Sequence, residues 1–240
     1  MFDNRTYRRF HKKPGLVPFD VTVKETNLHI QADTDLSDTA LRSILKYRGF
    51  IETFARVCPE FMTALVPLPL AGPAPAIVTD MFSAAGAADV GPMAAVAGAM
   101  SEYTGRDLLK ESGEILVENG GDIFIKSNTD TTFAIFAGDS PLSLKAGLHI
   151  KKQSRAYAMC TSSGTIGHSK SFGRADAVTV YATSCPLADA MATALCNQVQ
   201  SVKDIEPVIE RGNQVAGILG IAIIMGEHIG LWGDMELVPL

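Results

Sequence analysis

The order of hydrophobic patterns constrains the fold most, because helix-like spacing followed by strand-like alternation occurs twice along the chain. Residues 19–32 alternate between apolar and polar side chains, as two strands joined at 25–27 would. Helical spacing follows from residue 35 or 37 to about residue 56, and Ala- and Gly-rich helices are predicted across 80–112. Strand alternation returns at 114–126, where glycines mark a hairpin turn.

The second occurrence lies in the C-terminal half. A helix beginning near residue 185 and a shorter helix near 203–212 come before closing strands at 215–224 and 234–238. Between the two occurrences, further strands are predicted at 131–137, 143–150, 155–161 and 176–182. This order predicts an α+β fold: a duplicated unit of antiparallel sheets with helices packed on one face. The chain is either one domain spanning 1–240 or two pseudo-repeated halves joined near 113–130.

The first long helix carries a predicted buried stripe. Apolar residues recur there at three- and four-residue spacing, which places them on one face of a helix. The stripe consists of Leu41, Ile44, Leu45, Ile51 and Phe54.

Composition limits the classes of protein that this sequence can represent. The 240 residues are 47% hydrophobic and 20% charged, as in ordinary globular proteins. A net charge of −5 argues against general nucleic-acid binding. The four cysteines form no CxxC pair and no zinc-like spacing, so free thiols in a reducing compartment are expected. No signal peptide or membrane span is predicted, and we expect a cytoplasmic protein without membrane partners.

The segment CPLADAMATAL, residues 185–195, contains a single charged residue, Asp189. Pro186 suits the first turn of a helix, and Asp189 and Thr193 share one helical face. Asp189 is also the only charged residue between Asp176 and Lys203, which indicates a helix wrapped by protein. A buried carboxylate requires a partner. The candidates are a basic side chain, a cluster of backbone N–H groups, or a bound cation.

Two polar segments are the remaining candidates for chemistry. The first, CTSSGTIGHSKSFGRAD at 160–176, can expose backbone N–H groups and hydroxyls to an anion. Lys170 and Arg174 add positive charge there, and His168 is a weaker candidate for a catalytic base; a plain surface loop is the alternative. The second is ENGGDIF, in which Asp122 directly follows the glycine turn and can accept hydrogen bonds from a ligand. A purely structural hairpin remains the alternative for that segment.

These segments together resemble the ApbE-like superfamily, the FAD:protein FMN transferases. The similar segments are GEILVENGGDIFI, CTSSGTIGHSKSFGRADAVTVYA and CPLADAMATALCN, within residues 90–200. The resemblance implies a T-fold-like arrangement and, most closely, the short cytoplasmic members of the superfamily. It also implies Mg²⁺ and FAD, FMN or another nucleotide diphosphate as cofactors. The implied partners are a small-molecule ligand and a flavin-acceptor protein.

The resemblance assigns roles residue by residue. An Asp and a Thr one helical turn apart bind Mg²⁺ in the transferases, which implies Asp189 and Thr193 as metal ligands here. The implied cofactor-binding residues lie in the hairpin and in the polar loop, with His168 as the candidate catalytic residue. They are Asn119, Gly120, Gly121, Asp122, Thr161, Ser162, Ser163, Gly164 and Lys170.

The sequence departs from the family pattern at two places. The transferases carry a Lys-Gly pair in the helix before the hairpin, where this chain has Ala97 and Gly98. Their HxxDPxTG segment has no counterpart, and GHSKSFGRAD at 167–176 stands in its place. Three hypotheses therefore remain: a Mg²⁺-dependent flavin or nucleotide enzyme, a non-catalytic cofactor-binding protein, and a structural protein in which Asp189 forms a salt bridge. The weakly charged helices and the glycine-rich closing strands are also compatible with a homodimer.

Overall fold

The computed structural model describes residues 13–165 and 172–240. Eight antiparallel strands form one large sheet in the order β1-β2-β3-β4-β7-β8-β9-β10. A smaller antiparallel sheet has the order β11-β6-β5. The strands are β1 Val17–Val23, β2 Thr26–Ala32, β3 Ile115–Asn119, β4 Asp122–Lys126, β5 Thr131–Ala134, β6 Ala146–Ile150, β7 Tyr157–Ser162, β8 Ala177–Ala182, β9 Ile218–Met225, β10 His228–Gly233 and β11 Glu236–Pro239.

Five α-helices lie within the described residues, and short 3₁₀ turns precede or follow some of them. The helix α4 packs against α2 and α3 on one side and against β7 and β8 on the other. Among the described residues, none of the helices combines the length and apolarity needed to cross a bilayer. The helices are α1 Ser37–Val57, α2 Ala76–Ala88, α3 Val96–Leu108, α4 Cys185–Gln198 and α5 Ile205–Gly212.

The two faces of the large sheet are covered by different layers. Because side chains alternate along a strand, each strand contributes to both faces. One set, which includes Val117, Phe124 and Cys160, packs with the helices and forms the larger core. The other set, which includes Leu116 and Met159, packs against residues of the small sheet. We call these the helix face and the small-sheet face.

The predicted α+β architecture is confirmed, with antiparallel sheets and the helices on one face of the large sheet. The order strand–strand–helices–strand–strand occurs twice, first as β1 to β4 and again as β7 to β10. The strands β4 and β7 pair where these two series meet, and residues 127–156, which contribute to the small sheet, lie between them in sequence. The single-domain assignment and the join near 113–130 stay predictions.

Two details of the sequence-based prediction were wrong. The strand β10 was missed, although it pairs along its whole length with β9. In α1, Ile44 and Ile51 are buried as predicted, but Leu41 and Leu45 are 40% and 54% exposed. These two side chains lie on the solvent-exposed side of α1. The apolar stripe in the sequence is therefore wider than the face of α1 that the core buries. The positions that complete the buried side of α1 are Ala40, Ser43 and Tyr47.

Candidate functional site

Asp189 lies on α4 in the layer between the helices and the sheet, and its partners are backbone amides. Its residue surface is only 8% exposed, which confirms that α4 is wrapped by protein. The Gly98 N–H donates to Asp189 Oδ2 at 2.8 Å, and the Ala97 N–H also donates to this carboxylate. Both amides belong to the first turn of α3, where N–H groups have no partner inside the helix. Of the three candidate partners, the structure shows the amide cluster.

A glycine permits this contact between the two helices. A Cβ atom built on Gly98 would lie 2.4 Å from the Cys185 carbonyl oxygen and 2.8 Å from the Asp189 Cβ. Such distances are too short for any side chain, so α3 and α4 approach closely because position 98 has none. The start of α3, with its positive end of the helix dipole, therefore faces the Asp189 carboxylate directly.

A second buried carboxylate, that of Asp122, lies on the helix face close to Asp189. Asp122 is 8% exposed and begins β4, in the alternation set that includes Phe124. Burial raises the pKa of Asp122 well above its usual range, and the negative charge of Asp189 raises it further. Burial raises the pKa of Asp189 to about 7, although the two α3 amides act in the opposite direction. The two carboxyl groups therefore titrate as a pair that disfavours two negative charges.

The hairpin between β3 and β4 lies beside the start of α3. Gly120 and Gly121 have φ angles of 69° and 114°, which glycine adopts without strain. The Asn119 Nδ2 donates to the Ala97 carbonyl oxygen at 3.3 Å, and the Thr161 N–H donates to the Gly121 carbonyl oxygen at 3.2 Å. The turn is thereby tied both to α3 and to β7, as expected of a structural hairpin that also borders a site.

The polar residues at the end of β7 are divided between the two faces. Ser162 lies on the helix face, and its Oγ is 3.2 Å from the Thr193 Oγ1 on α4. Thr161 points to the small-sheet face, where its Oγ1 is 2.9 Å from the Thr179 Oγ1. Of these two predicted residues, only Ser162 is therefore placed beside Asp189's helix. The Thr161 side chain is separated from that helix by the sheet, although its backbone contacts Gly121.

The remaining predicted residues of this loop lie at the rim or outside the described residues. Ser163 and Gly164 follow Ser162, and the Ser163 Oγ is 3.2 Å from the Thr165 Oγ1. A Cβ on Gly164 would be 2.1 Å from the Gly173 carbonyl oxygen, so this glycine serves a close backbone contact. His168 and Lys170 fall within 166–171, outside the described residues.

Glu102 is a supporting residue that the sequence reasoning missed. It is 2% exposed, and its Oε2 accepts a hydrogen bond of 2.6 Å from the Cys185 N–H at the start of α4. Arg106 pairs with its other oxygen. Burial raises the pKa of Glu102, whereas the Cys185 amide and Arg106 favour its charged form. Glu102 is one of two acids in α3, with Asp107, and it anchors the helix that carries Asp189.

Two free thiols form the apolar floor of the site. The Cys160 Sγ and the Cys185 Sγ are 3.5 Å apart, and both residues are fully buried. Burial raises the pKa of Cys185 to about 12 and that of Cys160 well above its usual range, so both remain protonated. The prediction of free cysteines is confirmed for all four.

The arrangement combines negative charge, hydroxyl groups and helix-terminal amides in one place. On the helix face, Asn119, Asp122 and Asp189 contact α3. Ser162 and Thr193 are hydrogen-bonded to each other, and Thr193 lies one helical turn after Asp189 on α4. Their side chains offer carboxylate, hydroxyl and amide oxygens, which are the ligands that Mg²⁺ prefers. Among residues 13–165 and 172–240, no group of three or more His, Cys, Asp or Glu side chains is arranged to hold a metal ion by itself.

Known proteins similar to this chain fall into two sets. Sequence relatives include the UPF0280 protein of Methanococcus aeolicus, which is 38% identical over 90% of this chain and 89% of its own length. The UPF0280 protein of Methanocaldococcus jannaschii is also 38% identical and is matched over 91% of both chains. A family model described as AbpE bacteria matches residues 8–231.

Solved structures with a similar fold include flavin transferases. The ApbE flavin transferase of Vibrio cholerae, as its H257G mutant, is 15% identical with a TM-score of 0.57, covering 91% of this chain and 97% of that one. The apo flavinyl transferase ApbE of Pseudomonas stutzeri is also 15% identical, with a TM-score of 0.55 over 91% and 94%. At these identities the likeness shows a shared fold. The chain thus belongs to the family described as AbpE bacteria, whose fold is that of the ApbE flavin transferases, and it has UPF0280 proteins as relatives.

Proposed function

We propose that this protein is a Mg²⁺-dependent enzyme that acts on the diphosphate of FAD and passes or releases FMN. The observation that carries the proposal is the Asp189 carboxylate, buried beside the first turn of α3 with Thr193 on the next turn of its helix. The proposal is supported by the flavin-transferase fold and by the resemblance of the segments around Asp122, Ser162 and Asp189 to those of the transferases.

The residues present fit a magnesium ion. Mg²⁺ takes oxygen ligands and is commonly held by one or two carboxylates together with substrate phosphates and water. Asp189 offers a carboxylate, and Thr193 offers a hydroxyl on the same helical face. When bound, the ion would neutralise diphosphate charge and stabilise the charge that develops as the phosphoanhydride bond breaks.

The protein groups around this position bind and orient the nucleotide in the proposal. The amides of Ala97 and Gly98 hold the Asp189 carboxylate in one orientation. This side chain therefore loses less conformational entropy when it binds the ion. The glycine turn at Gly120 and Gly121 lets a flat or charged ligand approach the backbone closely. Ser162 and Ser163 supply hydroxyls at the other side of the site. His168 as a base and Lys170 as a phosphate contact stay predictions.

Product analysis with FAD tests the proposal. Purified protein is incubated with FAD and MgCl₂, with and without an acceptor-protein extract, and FMN, AMP and protein-bound flavin fluorescence are measured. We expect FMN or flavin-labelled protein that requires the ion and is lost in Asp189→Asn. The control is Asp139→Asn, which removes an exposed acid and should retain turnover. No AMP, FMN or labelled protein with the ion present would reject the enzyme hypothesis.

A non-catalytic flavin-binding protein is the second candidate. The observation that favours it is Ala97, which stands at the start of α3 where the transferases carry lysine. Among residues 13–165 and 172–240, no basic side chain forms an ion pair with Asp189 or Asp122 either. A rise in melting temperature with FAD and Mg²⁺ but without turnover would identify this candidate. The acceptor protein, the homodimer, the cytoplasmic location and the lack of nucleic-acid or membrane partners stay predictions.

A further inference from the structure

The helix face holds more buried negative charge than Asp189 alone. Asp122 and Asp189 are each 8% exposed and come from a strand and a helix that are packed together. Asp122 pairs across the ladder with Cys160, whose Sγ is 3.6 Å from the Cys185 carbonyl oxygen, and Asp189 lies one helical turn after Cys185 on α4. Taking two like charges out of water is costly unless an opposite charge or hydrogen-bond donors compensate them.

The compensation is unequal between the two residues. Asp189 accepts hydrogen bonds from two backbone amides of α3. Among the described residues, the donor that reaches the Asp122 carboxyl is the Cys160 thiol. A thiol is a weak hydrogen-bond donor, so Asp122 retains most of its capacity to bind another positive group.

The location of Asp122 matches that need. It directly follows the Gly120–Gly121 turn and pairs across the ladder with Cys160, two residues before Ser162 on the same face of β7. Asp189 and Thr193 lie on α4 above these strands. The carboxylates of Asp122 and Asp189 therefore lie between β4, β7 and α4, and the hydroxyl groups of Ser162 and Thr193 lie beside them.

We propose that Asp122 is a second carboxylate of the divalent-cation site and shares the ion with Asp189. The inference rests on the proposed function for the existence of the site, and it adds a ligand that comes from the glycine hairpin rather than from α4. The hairpin turn is thereby fixed to the ion as well as to α3, so cation binding organises the part of the site that faces the nucleotide. The class of ion is a hard divalent cation, Mg²⁺ or Mn²⁺, because the ligands are oxygens.

Manganese binding without any nucleotide tests the proposal. Free Mn²⁺ is counted by electron paramagnetic resonance during titration of the wild type, Asp122→Asn, Asp122→Glu and Asp189→Asn. The matched control is Glu118→Gln, because Glu118 is a buried acid on the same hairpin that faces away from α4. Its Oε1 accepts the Gly121 N–H at 3.1 Å, a bond that the Gln oxygen retains.

We expect Asp189→Asn to abolish binding and Asp122→Asn to weaken it at least about tenfold, since even groups that only orient a ligand change metal affinity by about 10- to 100-fold. Asp122→Glu should recover part of the affinity, and Glu118→Gln should match the wild type. Circular dichroism confirms folding, and Asp122→Glu carries the test if Asp122→Asn does not fold. Unchanged affinity in Asp122→Asn overturns the role of Asp122. If that variant does not fold, unchanged affinity in Asp122→Glu, in which the carboxylate is displaced by one methylene, overturns it.

The same titration separates this inference from the proposed function. If Asp189→Asn loses the ion while Asp122→Asn keeps it, the site exists and only the second carboxylate is wrong. If all variants bind as expected but FAD yields no product, the inference stands and the enzyme hypothesis fails. A wild-type protein that binds no Mn²⁺ overturns both the shared site and the Mg²⁺-dependent function.

Discussion

The β3–β4 hairpin carries two buried acids that point to opposite faces of the large sheet, and their surroundings differ. Glu118, on the small-sheet face, accepts a hydrogen bond from the Gly121 amide within its own turn. Asp122, on the helix face, has the Cys160 thiol and the nearby charge of Asp189. One hairpin thus presents a locally satisfied acid to one layer and an under-compensated acid to the other.

The difference shows where this fold accepts a cost in stability. Like charges that are held together without a counter-charge reduce the free energy of unfolding, and such arrangements concentrate at functional sites. On the small-sheet face, the His29 Nδ1 is 3.0 Å from the Asp20 Oδ1, whereas the His29 Nε2 is buried without a hydrogen-bond partner in the described part of the chain. The helix face therefore differs from its counterpart in electrostatics as well as in the layer that covers it.

The largest expected effect is on the pH dependence of stability. A raised carboxyl pKa means that the native state binds protons more tightly than the unfolded chain, so its contribution falls as pH rises from about 4 to about 7. Asp122→Asn removes one of the two groups. In metal-free buffer it should therefore be as stable as the wild type at pH 4 and more stable than the wild type above pH 7.

Urea denaturation in EDTA between pH 4 and pH 8 measures this difference. Glu118→Gln is the control from the other face. The charge of Glu118 raises the pKa of Asp122 less than the charge of Asp189 does, so the gain in this variant should be much smaller. An equal gain in both variants, or none in Asp122→Asn, would mean that the two faces do not differ in uncompensated charge.

The next effect concerns the contact that places Asp189 against α3. Gly98→Ala introduces a Cβ against the Cys185 carbonyl and the Asp189 Cβ, neither of which is the flexible end of a side chain. Overpacking of this kind costs about 1–3 kcal/mol. The control is Gly86→Ala in α2, where a Cβ meets nothing within 4 Å and should stabilise the helix by about 0.5–1 kcal/mol. Thermal unfolding should show a lower melting temperature for Gly98→Ala and a higher one for Gly86→Ala. A higher melting temperature for Gly98→Ala would show that α3 and α4 can move apart without a loss of stability.

Much of this site was predictable because its signals are local. One charged residue in an otherwise uncharged segment predicted that the helix carrying Asp189 is surrounded by protein, as it is. The glycine pair between two apolar runs predicted the turn at Gly120 and Gly121, where both φ angles are positive. The identity of the Asp189 partner was not local. Gly98 is 91 positions away along the chain, and only the packing of α3 against α4 brings its amide to the carboxylate.

Other errors have equally physical causes. The strand β10, HIGLWG, is mostly exposed or half-buried and contains two glycines, so it lacks both continuous apolar character and clear alternation. The predicted strand ended at residue 161, whereas β7 includes Ser162, and the side chains of the segment TSSG were assigned together to one ligand site. Neighbouring residues on a strand face opposite ways, which a motif comparison does not resolve.

The smallest expected effect uses these two neighbouring positions, with Thr161→Val compared with Thr193→Val. Each valine removes one hydroxyl pair, with Thr179 or with Ser162, which should cost about 1 kcal/mol of stability. The two variants should differ in metal affinity. Thr193 is a proposed ligand on the helix face, whereas the Thr161 side chain lies on the small-sheet face. In a Mn²⁺ titration, Thr193→Val should bind more weakly and Thr161→Val should match the wild type. Equal losses would indicate that the ion responds to general loosening of β7 and α4, and that the two faces are not chemically separate.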